Sequence, residues 1–129
     1  MGSSKDILRV LVADDEVQIC TLIREMLTQM GHYVEIRHDG EDALKAYEDQ
    51  GRFGLVVLDV MMPVKTGVEV VQELRGRGET VPVLLMSSFL PEEVLSSLEG
   101  YERIAFLQKP FSLAEFRATV ERITRPVRC

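Results

Sequence analysis

The sequence predicts an α/β fold, a doubly wound parallel sheet of five strands with helices on both faces. Three observations predict it. Strand-like and helix-like patterns alternate about five times along the chain, which is the mark of βα units. The run Leu55–Val60 is nearly all apolar and β-branched, as a strand covered on both faces must be. No linker, long repeat or low-complexity stretch divides the 129 residues, a length that fits one domain.

Each element has its own warrant. Ile7–Ala13 is rich in β-formers and makes the first strand. Val17–Met30 is a helix, because Ile19, Leu22, Ile23, Met26, Leu27 and Met30 recur at steps of three and four, and Gly31 ends it. Tyr33–Arg37 is a short strand. Asp39-Gly40 turns the chain into a short helix over Glu41–Asp49, with Ala43, Leu44 and Tyr47 inward and Gly51 closing it. After Leu55–Val60 comes the loop Met61–Gly67, then a helix over Val68–Arg75 with Val68, Val71 and Leu74 on one side, broken by Gly76 and Gly78. Val81–Met86 is the fourth strand, ended by Ser87-Ser88. Pro91 suits the first turn of a helix over Pro91–Leu98. Ile104–Gln108 is the fifth strand. Ser112 caps the last helix with Glu115 as its capping-box partner, and Leu113, Phe116, Val120 and Ile123 form that helix's core stripe. The domain is expected over residues 7–124, with a disordered or tag-derived stretch at 1–6 and a tail at 125–129.

Bulk properties narrow the function. Fifteen Lys and Arg against twenty-one Asp and Glu give a formal net charge of −6, which argues against direct nucleic-acid binding. No apolar run approaches the length that spans a bilayer, so no membrane partner is expected, and no basic-then-apolar segment opens the chain. Cys20 and Cys129 make no disulfide framework, which fits a reducing cytoplasm. His32 and His38 are not at metal-ligand spacing with either cysteine and read as surface or turn residues.

Charge is concentrated where the strands end. Asp14 and Asp15 follow the first strand, Asp59 follows Leu55–Leu58, and Lys109 follows the fifth. In a parallel sheet these groups meet at the carboxyl edge, where open α/β sheets bind ligands; in the order 2-1-3-4-5, strands one and three are neighbours at the switch point. Two carboxylates about 4 Å apart repel by about 4 kcal/mol at an effective dielectric of about 20. Three together require that one hold a proton or that a divalent cation bind. Oxygen-only ligands with room for water favour Mg²⁺ over Zn²⁺. Lys109 can reach a phosphoryl oxygen there, and Ser87 or Ser88 at the end of strand four can donate a hydrogen bond to the same group. The competing explanation is that Asp14 or Asp15 only caps the next helix and that Lys109 is merely solvated.

Four pieces in order carry a family resemblance over residues 7–124: Leu11-Val12-Ala13-Asp14-Asp15-Glu16, Asp59-Val60-Met61-Met62-Pro63 with Gly67, Pro82-Val83-Leu84-Leu85-Met86-Ser87, and Lys109-Pro110-Phe111. The chain resembles the receiver domains of two-component response regulators. The resemblance implies a flavodoxin-like (βα)5 three-layer sandwich with strand order 2-1-3-4-5. It implies that Asp59 accepts a phosphoryl group from a histidine kinase or a histidine phosphotransfer protein. It further implies that Asp15, Asp59, Asp14 and the backbone carbonyl of Met61 hold Mg²⁺, with Mn²⁺ as a substitute. By the same likeness Lys109 holds the phosphoryl group, Ser87 moves to bond it, Phe106 is the aromatic switch, and the Lys109–Pro110 bond is cis. The chain would then catalyse only its own phosphorylation and dephosphorylation. If it dimerises, the family's usual surface is the fourth helix, fifth strand and fifth helix.

The chain departs from the family at several places. Ser87-Ser88 stands where threonine and alanine are common, and Phe106 where tyrosine is. Gly100-Tyr101-Glu102-Arg103 stands where many receivers have Gly-Ala before the fifth strand. Met61 and Phe89 are apolar at the places that flank the incoming water, which is expected to prolong the phosphoryl group's life. A phosphatase of the haloacid-dehalogenase kind would need a second Asp where Met61 stands. A flavin or nucleotide carrier would need a glycine- or hydroxyl-rich loop where Asp14-Asp15-Glu16 stands. A degenerate receiver would not retain Asp15, Asp59 and Lys109.

Overall fold

The computed structural model describes residues 7–88 and 92–125. The predicted N-terminal stretch 1–6, Phe89, Pro91 and the tail beyond Arg125 lie outside the described residues. The elements run β1 (Arg9–Ala13), α1 (Val17–Gln29), β2 (Tyr33–Arg37), α2 (Gly40–Gln50), β3 (Leu55–Asp59), α3 (Gly67–Gly76), β4 (Val83–Ser87), α4 (Glu92–Ser97), β5 (Ile104–Gln108) and α5 (Leu113–Thr124). All strand pairs are parallel, in the order β2-β1-β3-β4-β5. The expected fold class and strand order are both found.

Side chains alternate across the sheet, so its two faces build two interiors. Leu11, Val56, Leu58, Val83 and Leu85 pack on one side with Ala43 and Leu44 of α2, Val71 and Leu74 of α3, and Leu98. Val10, Val12, Val57, Leu84 and Met86 pack on the other with Ile23 and Leu27 of α1 and Phe116 and Val120 of α5. Every residue of β3 and β4 is buried, as the continuous apolar runs require. Each fully buried side chain of this size contributes about 1.5–3 kcal/mol relative to exposure. Among the described residues, no helix is long and apolar enough to cross a membrane.

Most local signals hold. Ser112 accepts from Glu115 N and the Glu115 side chain returns to Ser112 N, closing the predicted box. Thr66 and Glu69 form a second box on α3. Gly31 and Gly51 both adopt the positive φ that ends a helix cheaply.

Several expectations need correction. Leu22 and Leu113 are 47 % and 43 % exposed, because each lies at the edge of a helical stripe rather than on its centre. In α3 it is Val70 that is buried with Val71 and Leu74, while Val68 packs only partly. The first strand starts at Arg9, leaving Ile7 exposed. The fourth starts after Pro82, which has no N–H to give the ladder. The α4 helix ends at Ser97, and the buried Leu98 lies just past it.

Two described loop residues other than glycine, Val64 and Arg103, have a positive φ. Val64 has φ +70, a left-handed conformation that a β-branched residue resists, and its side chain is 73 % exposed. Val64→Gly is therefore expected to raise stability by about 1 kcal/mol. Urea denaturation checks this; a loss of stability would contradict the strain.

Candidate functional site

The sheet order puts the ends of β1 and β3 side by side, and this creates the site. Asp14 leaves the end of β1 and is fully buried. Asp15 follows it and is exposed. Asp59 is the last residue of β3 and 7 % exposed. One oxygen from each of these three carboxylates lies within 4.8 Å of the others. Neither Asp14 nor Asp15 is the cap of α1; that position is Glu16, whose side chain makes no cap bond.

Lys109 fills the centre of this charge. Its Nζ donates to Asp14 Oδ2 at 3.0 Å, to Asp59 Oδ1 at 3.3 Å and to Glu16 Oε1 at 3.4 Å. The Lys109–Pro110 peptide is cis, and Lys109 N donates to Ser87 O at 2.8 Å, which fixes the lysine beside the end of β4. Ser87 is 4 % exposed, whereas Ser88 faces solvent. Phe106 is half-buried and packs against the core on the α2–α3–α4 side of the sheet. Met61, two residues beyond Asp59, is 68 % exposed.

The electrostatics follow from this crowding. Burial, then the charge of Asp14, pushes the Asp59 carboxyl up from 3.8 to about 6, against the pull of Lys109. Burial alone would depress the Lys109 ammonium, but the hydrogen bond and charge of Asp14, followed by Asp59, hold it above its ordinary value. One cation serves the carboxylates of Asp14, Asp59 and Glu16, with Asp15 close by, so negative charge remains in excess.

Three supports were missed in the sequence. Glu16 N donates to Asp14 Oδ1 at 2.9 Å, and the Glu16 carboxylate also meets Lys109. The Cys20 thiol donates to the Asp14 carbonyl at 3.2 Å, and His38 Nδ1 lies 2.9 Å from the same oxygen. Burial, then the charge of Asp14, pushes the Cys20 thiol up to about 11, so it stays protonated and able to donate. His38 is thus more than a turn residue. It clamps the chain that carries Asp14.

The described donors suit a hard divalent ion. They are carboxylate oxygens only, one of them open to water, with no nitrogen or sulfur ligand in the cluster. Cys20 and His38 are turned to the Asp14 carbonyl and not to its carboxylate.

Comparison with known proteins agrees with this geometry. The model of the response regulator receiver domain matches residues 10–121. The chain belongs to that family. Among relatives of this receiver, the transcriptional regulatory protein RprY of Bacteroides fragilis is 36 % identical over 124 residues, covering 94 % of this chain and 51 % of RprY. The alkaline phosphatase synthesis transcriptional regulatory protein PhoP of Bacillus subtilis is 38 % identical over 119 residues, covering 91 % of this chain and 48 % of PhoP. The receiver thus spans about half the length of the curated relatives it matches. Its fold matches that of the chemotaxis protein CheY4 of Vibrio cholerae with a TM-score of 0.83 at 28 % identity, covering 92 % of this chain and 99 % of CheY4. The Francisella response regulator 1452 receiver domain matches with a TM-score of 0.79 at 29 % identity, covering 92 % and 97 %. The chain is a receiver of two-component signal transduction, and its acidic pocket is compatible with a phosphoacceptor role. The phosphatase alternative finds no support in these matches.

Proposed function

We propose that Asp59 is the phosphoacceptor of this receiver. The observation that carries the reading is the meeting of Asp14, Asp15, Asp59 and Lys109 at the carboxyl edge between β1 and β3. The donor is a phosphohistidine on a histidine kinase or phosphotransfer protein. An Asp59 oxygen attacks phosphorus, the P–N bond breaks, and the histidine leaves with the bonding pair. The transition state is loose, so the protein contributes position and charge rather than covalent chemistry. Asp15, Asp59, Asp14 and the Met61 carbonyl would hold Mg²⁺, or Mn²⁺ in its place, which supplies positive charge for the phosphoryl oxygens.

The chain's own residues do the rest. Only ionised Asp59 is a nucleophile; burial and Asp14 raise its carboxyl in the metal-free pocket, and a bound divalent cation would favour the ionised form that capture needs. Lys109 exchanges one carboxylate partner for a phosphoryl oxygen. Ser87, buried at the end of β4, donates its hydroxyl to the same group in preference to the exposed Ser88. Those new bonds favour the phosphorylated arrangement over the resting one, and Phe106 changes rotamer as Ser87 moves. The domain comprises residues 7–124 and turns over no external substrate beyond its own phosphoryl group. A cytoplasmic setting fits a kinase partner, and the net charge of −6 favours protein partners over nucleic acid for this domain.

The test is incubation with Mg²⁺ and acetyl phosphate followed by intact mass. One added phosphoryl group is expected, absent in Asp59→Ala and absent with EDTA. Undiminished labelling of Asp59→Ala would move the acceptor elsewhere.

A further inference from the structure

A second cavity opens at the opposite end of the sheet. It lies where α2 runs into β3, where α3 runs into β4, and where the chain enters β5, with a volume of about 720 Å³. That size falls in the range of small-molecule sites. Strands of five residues at about 3.3 Å each separate it from Asp59 by about 16 Å.

Three arginines line it: Arg52, Arg77 and Arg103. The two carboxylates of the lining are already engaged. Glu48 pairs with Arg77 at 3.3 Å, and Glu79 accepts from the Tyr47 hydroxyl at 2.9 Å. Arg77 has a second partner in Glu73. The guanidinium groups of Arg52 and Arg103 make no hydrogen bond or ion pair with any described residue. Nearby backbone oxygens are occupied too, because Arg75 donates to the carbonyls of Glu79, Val81 and Glu102 at 3.0, 2.8 and 3.0 Å. Two cations with no partner among the described residues therefore face the space in a protein whose net charge is −6.

The backbone at Arg103 adds an independent sign. Its φ is +61, a conformation that glycine adopts without strain and arginine does not. Strain of this kind clusters at functional sites, although Val64 shows that it also occurs elsewhere. Arg103 also lies close enough to repel Arg75. Arg103 thus combines a positive φ, a neighbouring cation and no side-chain partner among the described residues. Tyr47, stacked on Phe53 with centroids 5.9 Å apart, supplies a rigid aromatic wall.

We propose that this cavity binds a nucleotide-sized small molecule bearing two or more phosphates, held by Arg52 and Arg103 with Arg77 beside them. Guanidinium groups match phosphate oxygens with paired, charge-assisted hydrogen bonds. The site is distinct from the carboxylate pocket and does not depend on the role of Asp59.

Amide spectra of the isotope-labelled full chain, titrated with ADP and with inorganic pyrophosphate in EDTA, test the proposal. Saturable shifts are expected for Arg52, Phe53, Thr80 and Arg103, with dissociation constants below about 1 mM. Arg52→Ser with Arg103→Gly should weaken binding about tenfold or more, the loss of two charge-assisted contacts. Arg103→Gly alone should weaken binding yet melt no lower than the parent, because glycine fits the positive φ. A merely structural arginine would give the opposite melting result. Absence of saturation, shifts confined to residues 14, 15 and 59, or equal affinity in the double variant would each overturn the proposal. Tight binding of an acidic peptide in place of both phosphates would overturn it in favour of a protein partner.

Discussion

Asp59→Asn is expected to stabilise the metal-free protein by about 3 kcal/mol at pH 7.5. The reason is the carboxyl's raised pKa, about 6 in the fold against 3.8. Below pH 3.8 the group is protonated in both states and costs nothing. Between about 4 and 6 the unfolded chain ionises first, so the native state loses stability as pH rises. Above 6 the full penalty is present, and it already includes the attraction of Lys109. Asparagine keeps the shape and removes the charge. The gain should therefore be large at pH 7.5 and nearly absent at pH 4. Millimolar Mg²⁺ should reverse the comparison. It stabilises the parent by mass action and has one carboxylate fewer to bind in the variant. Denaturation curves with EDTA and with Mg²⁺ at both pH values read this directly. An equal gain at pH 4 and 7.5 would place its origin outside Asp59 ionisation.

Gly67→Ala is expected to cost about 3 kcal/mol or more, a fall of about 10 °C in melting temperature. Gly67 opens α3, and its N–H donates to Val60 O at 2.9 Å. A Cβ there would fall well inside 3.0 Å of the Asp59 carbonyl oxygen and 3.1 Å from Leu85 Cδ2. The oxygen cannot retreat easily, because Val60 N is tied to Met86 O at 2.8 Å. The clash lands on Asp59, the proposed phosphoacceptor, so Mg²⁺ binding should weaken as well. Gly76→Ala is the control. Nothing lies within 4 Å of its Cβ and its φ is not positive, so the substitution should be neutral or mildly stabilising. If both variants melted alike, the close approach at Gly67 would not be a constraint.

Much of this was legible in the sequence, for definite reasons. The runs at β3 and β4 are apolar up to Asp59 and Ser87, as a parallel strand covered on both faces requires. Once the strands were placed, Asp14, Asp15, Asp59 and Lys109 had to share one edge, because parallel strands end on the same side. What escaped involves partners that a residue's letter does not reveal. His38 and Cys20 meet a backbone carbonyl, and every residue has one of those. Leu22 and Leu113 fit a helical repeat, yet the stripe that reaches the sheet is narrower than the repeat allows. The arginines of the second cavity come from three separate connections, and nothing in their spacing brings them together.

The Lys109 ammonium has a consequence for ion choice. It is a cation that cannot diffuse away, already seated between Asp14 and Asp59. Sodium or potassium arriving from solvent offers a single positive charge, which the tether has supplied in advance. Because negative charge remains in excess, an ion of higher valence would offset more of it than sodium or potassium. A preference for divalent ions over abundant monovalent salts would then need no size filter, only a tethered cation that competes for the same seat.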